Sequence, residues 1–118
     1  MDENRPIFQQ IAEQIENDII SGALPEETQV PSTNEFAAFH RINPATAGKG
    51  VNLLVDSGIL YKKRGIGMFV ASGARARLTA QRADQFSESY IRPLLREAEK
   101  LGITPEQLAA MIQKGARS

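Results

Sequence analysis

Apolar residues recur at helical spacing near the start of the chain. Phe8, Ile11, Ile15 and Ile19 follow one another at intervals of three and four residues, and polar side chains fill the opposite face. A proline opens this pattern and a glycine closes it, which predicts a helix over residues 6–21. We expect the apolar stripe to be core, because no residue in it indicates chemistry.

Two shorter helices are predicted next, each from its own start signal. Ser32 and Glu35 form an S-x-x-E capping box, and Asn43 followed by Pro44 is typical of a helix start. The short turn between them, at residues 40–43, is typical of a helix-turn-helix. The positions predicted to face inward on these two helices are Phe36, Ala37, Phe39, Val51, Leu54 and Val55.

A two-stranded hairpin is predicted after the third helix. Residues 59–63 and 68–71 read as short strands that are joined by the sequence RGIG. Gly65 and Gly67 permit a positive φ in this turn. A hairpin in this position completes a winged helix-turn-helix, in which the turn is the tip of the wing.

The last third of the chain is rich in alanine, arginine and glutamine and is predicted to be helical. A long helix ends near Gly102, and Pro93 inside it predicts a kink or a break. Thr104, Pro105 and Gln107 predict a final helix with a second capping box. The arginines at positions 75, 77 and 82 either contact the flanks of the DNA or remain solvated, and we favour solvation.

These last helices carry an apolar stripe that a two-helix segment cannot bury alone. A second copy of the chain is the simplest partner, which predicts a homodimer. The residues assigned to its interface are Phe86, Tyr90, Ile91, Leu94, Leu108, Met111 and Ile112. Alternatively, Phe86, Tyr90 and Leu94 line a pocket for an unidentified small-molecule effector.

The predicted fold is therefore mainly α with a small β-hairpin. Residues 1–72 form a winged helix-turn-helix DNA-binding domain, and residues 73–118 form a short C-terminal helical dimerisation segment. A length of 118 residues supports one compact domain with such an appendage but hardly two full cores.

Composition excludes several classes of protein. The chain has no cysteine, which excludes disulfides and thiolate metal sites, and its one histidine, His40, argues against a histidine-based metal cluster or triad. No cofactor is expected. No apolar run reaches the roughly 20 residues of a membrane span, and the polar start is unlike a signal peptide. We therefore expect a cytoplasmic protein without a membrane partner.

Charge is unevenly distributed, although the total is zero. In residues 36–70 the charged side chains are Arg41, Lys49, Lys62, Lys63 and Arg64 against Asp56 alone. A neutral protein can present one basic face, and phosphate contacts depend on that local field. Lys49 and Arg64 lie where a phosphate backbone would pass. Lys62 and Lys63 point to opposite faces, and we assign Lys63 to DNA. Arg41 is left open between a phosphate contact and a local salt bridge.

Three motifs stand in order along the chain: PIFQQIAEQIENDIISGALP, VPSTNEFAAFHRINPATAGKG and KKRGIGMFV. Together they resemble the GntR family of transcriptional regulators over residues 6–70. The INPATA sequence and the short tail resemble its YtrA-like subfamily, whose C-terminal region is about two helices. The resemblance implies a DNA-binding protein that controls an adjacent transporter operon.

The resemblance also implies which residues contact DNA. They are Ser32, Thr33 and Asn34 on the second helix, Asn43, Pro44, Ala45, Thr46 and Lys49 on the third, and Arg64, Gly65 and Gly67 at the wing. Two departures remove arginines that the family often has, since Asn34 replaces one and Asn43-Pro44 replaces a serine-arginine pair. Recognition of the operator then depends more on phosphate contacts and DNA shape than on bidentate contacts with guanine. Glycines at positions 48 and 50 are a third departure, because each costs a helix about 1 kcal/mol relative to alanine.

Two functions remain in competition. The first is a homodimeric transcription regulator, acting as a repressor, whose third helices and wings bind a near-palindromic operator in double-stranded DNA. The alternative is a winged-helix module for protein–protein interaction without DNA binding, which would need an apolar third-helix face and an uncharged wing. An enzyme is not expected, because the carboxylates are scattered and no nucleophile pairs with a base.

Overall fold

The structure, a computed structural model, describes residues 3–117 and consists of helices with one antiparallel hairpin. In chain order the elements are α1 (Ile7–Ser21), α2 (Thr33–His40), α3 (Pro44–Asp56), β1 (Leu60–Lys63), β2 (Gly67–Val70), α4 (Ala74–Phe86), a π-helical turn (Ser87–Ile91), α5 (Arg92–Lys100) and α6 (Pro105–Ala116). The predicted fold, mainly α with a small hairpin, is confirmed. The outer ends of the two predicted domains, residues 1–2 and 118, lie outside the described residues.

The first of two compact units ends at Ala80 and has its core between α1 and α3. The stripe predicted on α1 is buried, with Ile11 0%, Ile15 3% and Ile19 1% exposed. Each such side chain contributes about 1.5–3 kcal/mol by leaving water. Facing residues of the same core are Ala47, Val51, Leu54, Leu60 and Val70. This packing holds one side of α3 and leaves its other side exposed.

Phe39 contradicts the predicted burial of α2, because its side chain is 82% exposed. Phe36 and Ala37 are 9% and 2% exposed and define the side of α2 that faces the core. At 3.6 residues per turn, Phe39 lies about 110° around the helix from the midpoint of those two residues. Its ring packs edge-on against His40, with centroids 4.9 Å apart. The prediction that Phe39 faces inward was wrong, because helical geometry turns it outward.

The first turns of α4 are part of the first unit. Ala74 and Leu78 are 0% and 1% exposed within the same core. Arg75 Nε donates a hydrogen bond to the Ile20 carbonyl at 3.0 Å, near the end of α1. Arg77 does the same after α3, where its Nη2 lies 2.7 Å from the Ser57 carbonyl oxygen.

Carbonyl groups at helix ends lack intrahelical partners, and arginine side chains are suited to bind them. Arg75 and Arg77 therefore cap α1 and α3, which corrects the expectation that they only remain solvated. Their contacts, together with the burial of Leu78, attach α4 to the winged unit beyond the domain boundary predicted at residue 72.

The second unit begins at Gln81 and contains the end of α4, the π-helical turn, α5 and α6. Pro93 lacks an N–H, and its ring clashes with the carbonyl four residues earlier in a regular α-helix. The helix continues through Pro93, because the turn before it widens: the Arg92 N–H donates to the Ser87 carbonyl, five residues back. A π-helical turn thus accommodates Pro93 within a continuous helix, and the predicted break into two helices does not occur.

The predicted start of α6 is confirmed. The Thr104 hydroxyl accepts from the Gln107 N–H at 3.1 Å, and the Gln107 side chain accepts from the Thr104 N–H at 2.9 Å. Ala98 and Leu108 are the buried apolar residues of this unit, at 6% and 8% exposed. Of the helices within the described residues, none combines the length and apolar content that a membrane span requires.

Candidate nucleic-acid interface

The N-terminus of α2 is closed by the predicted capping box. The Ser32 hydroxyl accepts from the Glu35 N–H, and the Glu35 carboxylate accepts from the Ser32 N–H, both at 3.1 Å. Asn34 is exposed, and Thr33 is half-buried against α3. Helix N-termini favour anions such as phosphate, because their N–H groups and dipole present positive charge. The α2 start therefore offers a surface of short polar side chains to a phosphate backbone.

Glu35 lies in this surface as a carboxylate. Hydrogen bonds from the Ser32 backbone and then from its side chain lower the pKa of Glu35 below its ordinary value of 4.5. Its negative charge is held by the cap, and it stabilises the helix dipole. The Glu35 carboxylate also repels phosphate locally. We therefore expect α2 to orient the protein on DNA more than to attract DNA by charge.

The turn between α2 and α3 is made by Arg41 in a left-handed conformation. Its φ and ψ are 55° and 48°, values that favour glycine. The Arg41 N–H donates to carbonyls of α2 and ends that helix. Its side chain is exposed. The backbone role of Arg41 is therefore structural, and its guanidinium group remains available to a phosphate.

The outward face of α3 begins with its cap. The Asn43 side-chain oxygen accepts from the Ala45 N–H at 2.8 Å, and Pro44 takes the first helical position. Ala45, Lys49 and Asn52 share one face at spacings of four and three, and all three are exposed. Thr46 lies beside them and is half-buried.

This α3 face has a small residue at its start, one lysine and one amide. Such a surface lets a helix backbone approach a major groove closely, where its first residues meet base edges and phosphates. Asparagine can bind adenine with two hydrogen bonds. Asn52 belongs to this face by geometry, although it was not among the residues assigned to DNA.

Lys49 is held by an aromatic ring that the sequence did not connect with it. Its Nζ lies 4.1 Å from the centroid of the Phe8 ring, at the start of α1. Such a cation–π contact fixes the ammonium group while leaving its charge intact. Phe8 was predicted as core, and no local signal in the sequence links it with a lysine 41 residues away.

The wing pairs Leu60 with Val70 and Lys63 with Gly67. Lys62 and Lys63 face opposite sides, as predicted. The Lys63 Nζ lies 4.4 Å from the Phe69 ring centroid, on the face that carries the aromatic pair of the hairpin. This contact holds the Lys63 side chain against the hairpin face that carries Tyr61 and Phe69, which we call the outer face. Lys63 would therefore attract DNA by the positive charge that it places on this face, not by reaching out from it.

The tip of the wing is exposed and uses both glycines. The Ile66 N–H donates to the Lys63 carbonyl at 3.0 Å, and Gly65 and Gly67 have φ values of 78° and 142°. Arg64 is exposed, and the Ile66 side chain is 63% exposed. The tip therefore presents one guanidinium group and one apolar side chain on a glycine-jointed backbone.

Tyr61 forms the other end of the outer hairpin face. Its ring stacks on Phe69, and its hydroxyl donates to the Glu27 carboxylate at 2.5 Å. This hydrogen bond raises the pKa of Tyr61 above its ordinary value of 10.0. The outer face is thus tied to the segment between α1 and α2.

The residues assigned to a dimer lie in the second unit, and most of them are exposed. Their exposed fractions are 52% for Phe86, 66% for Tyr90, 39% for Leu94, 55% for Met111 and 54% for Ile112, and Ile91 is half-buried. Leu108 differs, because it is buried within its own unit and has little surface left for a second copy. It is therefore withdrawn from the interface.

A small cleft of about 270 Å³ lies in the same unit. It is lined by Leu95, Ala98, Glu99, Ile103, Pro105 and Leu108. Phe86, Tyr90 and Leu94, the residues considered for an effector pocket, are not among them. The side chains of these three residues are exposed to solvent instead.

The chain matches the family described as "Bacterial regulatory proteins, gntR family" over residues 7–70. The HTH-type transcriptional repressor YtrA of Bacillus subtilis (strain 168) is 27% identical over 109 residues, which cover 92% of this chain and 83% of that protein. A GntR family transcriptional regulator from Listeria monocytogenes has a similar structure, with a TM-score of 0.77 and 26% identity, covering 97% of this chain and 98% of that one. AraR(DBD), solved in complex with operator ORR3, has a TM-score of 0.52 and 31% identity, covering 54% of this chain and 77% of that one.

Proposed function

Since this chain belongs to the GntR family of bacterial regulatory proteins, we propose that it represses transcription as a homodimer bound to a near-palindromic operator. Members of this family are DNA-binding transcription regulators, not enzymes. The relative YtrA is described as a repressor, which supports the sign of regulation. Repression follows if the bound dimer blocks access of the transcription machinery. Its place of action is the cytoplasm, where bacterial DNA lies.

One observation carries the proposal: the exposed face of α3 and the exposed tip of the wing belong to the same compact unit, and the opposite face of α3 packs in the core of that unit. Lys49 and Arg64 supply the cationic groups on these two elements, and Asn52 supplies an amide that can read a base edge. AraR(DBD), a similar domain, was solved with an operator, which supports DNA as the partner of this unit.

The homodimer is supported by the apolar stripe of the second unit. The rings of Phe86 and Tyr90 lie 5.4 Å apart and are both more than half exposed, and exposed apolar patches mark interaction sites. Two-fold pairing of such a stripe would offer two recognition helices to successive major grooves. Pairing also doubles the phosphate contacts, which compensates for the zero net charge of one chain.

A DNA titration tests the assigned surface. The full chain is titrated by fluorescence anisotropy against DNA from its own upstream region, at two salt concentrations. We expect the Lys49→Ala, Arg64→Ala double variant to weaken binding at least tenfold and to reduce the salt dependence, since two phosphate contacts per chain are lost.

The matched control removes the same charge elsewhere in the chain. Arg96→Ala with Lys100→Ala deletes two exposed cations of α5, and we expect it to bind as the unchanged protein does. Equal affinities for the Lys49, Arg64 variant and the unchanged protein would refute the assigned surface.

A further inference from the structure

The wing has a second neighbour besides its own strands. On the free edge of β2, Gln29 forms a β-bridge with Phe69. The Val30 N–H donates to the Met68 carbonyl at 2.9 Å, and the Val70 N–H donates to the Thr28 carbonyl at 3.0 Å. The segment between α1 and α2 therefore runs along the hairpin as a short third strand.

The Gln29 side chain extends this contact to the tip. Its Nε2 donates a hydrogen bond to the Ile66 carbonyl at 3.0 Å, across 37 residues of sequence. Ile66 follows Arg64 and Gly65 in the exposed turn. The bond therefore connects the segment between α1 and α2 to the turn of the wing that carries Arg64.

Gly67 leaves the space that this amide occupies. A Cβ built on Gly67 would lie 2.5 Å from Gln29 Nε2, closer than real contacts allow. The φ of Gly67, 142°, also favours glycine. Any side chain at position 67 would displace the flexible end of Gln29 and break its bond to the tip. Gln29 and Gly67 thus act as a pair.

A turn with two such glycines is otherwise loose. Gly65 and Gly67 have more backbone freedom than other residues, and fixing that freedom at the moment of binding weakens affinity. A side-chain hydrogen bond to a turn carbonyl removes part of that freedom beforehand. The tip is then ordered in the free protein.

We propose that Gln29 is a positioning residue for the wing: its amide holds the Ile66 carbonyl and so orders the tip, with Arg64, before DNA is bound. The proposal rests on the proposed function, because its effect on affinity requires the wing to contact DNA. Gln29 itself need not touch the operator.

The test variant is Gln29→Met, which keeps an unbranched side chain of similar length and removes the donor. The rate of hydrogen exchange at the Ile66 amide measures how well ordered the tip is in the free protein. Operator affinity measures whether that order contributes to DNA binding. We expect exchange at Ile66 to accelerate and affinity to fall about two- to tenfold, the range that one net hydrogen bond corresponds to. The Tm should stay unchanged, because Gln29 is exposed.

Thr28→Val is the matched control within the same segment. The Thr28 hydroxyl donates locally to the Pro25 carbonyl and does not reach the tip. We expect this variant to keep both the exchange rate at Ile66 and the affinity. A merely structural role for Gln29 would instead lower the Tm and weaken affinity in proportion.

Two results would overturn the proposal: an unchanged exchange rate at Ile66 in Gln29→Met, or faster exchange with unchanged operator affinity. Failure of the unchanged protein to bind upstream DNA overturns the proposed function, and with it the role of Gln29 in binding. The exchange rates then still decide whether Gln29 orders the tip.

Discussion

Gly50 of α3 lies so close to α1 that a Cβ at this position would be 2.6 Å from the Phe8 carbonyl oxygen. The same Cβ would be 3.0 Å from Ile11 Cγ2. Neither the backbone oxygen nor the buried Ile11 can move without shifting a helix. The glycine at position 50, which costs helix propensity, is thus required by the approach of α1 to α3.

We expect Gly50→Ala to lower the free energy of unfolding by about 1–3 kcal/mol, because overpacking exceeds the gain in helix propensity. Gly48→Ala is the matched control on the same helix. A Cβ at Gly48 meets Thr33 Cγ2 at 3.5 Å, an ordinary contact, so we expect a gain of up to about 1 kcal/mol. Urea unfolding of both variants measures the difference. Equal effects of the two substitutions would refute this account.

The sequence predicts those parts of the fold whose signals are local. The capping boxes at Ser32 and Thr104 are read from residues three positions apart, and both form as predicted. The αL glycine after α1 and the glycines of the wing are likewise local features. These signals place the α2 and α3 starts and the wing tip, and therefore most of the candidate site.

Three contacts between distant residues were not predicted. The approach of Gly50 to Phe8, the capping of α3 by Arg77 and the bond from Gln29 to Ile66 join segments that lie far apart in sequence. No periodicity encodes such pairs, because they depend on how helices pack. Phe39 shows the same limit, since its apolar character indicated burial but its angle on α2 decided exposure.

The capping box of α2 makes stability depend on pH through Glu35. Its pKa is lowered in the folded protein, so its contribution is complete above about 4.5 and is lost as the pH falls through the folded-state pKa. Glu35→Gln keeps a side chain that completes a capping box but does not titrate. We expect the unchanged protein to be more stable than this variant at pH 7 and to have a smaller advantage at pH 3.

Chemical unfolding of both proteins at the two pH values checks this prediction. Other carboxylates titrate equally in the two proteins, so they cancel in the difference. A stability difference between the two proteins that does not vary with pH would contradict the role given to the Glu35 carboxylate.

Arg41 combines a strained backbone with an exposed charge, and two substitutions separate them. Arg41→Gly removes the guanidinium group and relieves the left-handed conformation, whereas Arg41→Ala removes only the charge. We expect the glycine variant to unfold with a free energy about 0.5–1 kcal/mol above that of the alanine variant. Thermal unfolding measures this difference.

Operator affinity decides the second role of Arg41. If its guanidinium group contacts phosphate, both Arg41 variants weaken binding to the same extent and lower the salt dependence. A local salt bridge would instead leave the affinity unchanged in both. Because stability and charge change independently in this pair, the two roles do not obscure one another.

Tyr90 and Gln113 allow a matched test of the proposed dimer. Both side chains are exposed, and both lie in the second unit. Tyr90 belongs to the assigned interface and packs against Phe86, with ring centroids 5.4 Å apart. Gln113 lies on α6, turned about 100° and 160° around the helix from Ile112 and Met111. Glutamate at either position adds one negative charge at an exposed site.

We expect Tyr90→Glu to shift the protein toward the monomer and to weaken operator binding by more than tenfold, since a paired interface cannot solvate two facing carboxylates. Gln113→Glu should remain dimeric and bind normally. Light scattering gives the mass, and anisotropy on DNA with one or two half-sites gives the affinity. If Tyr90→Glu formed dimers as stable as those of the unchanged protein, the dimer interface would have to lie elsewhere than the assigned residues. A monomeric mass for the unchanged protein at micromolar concentration would remove the two-fold arrangement altogether.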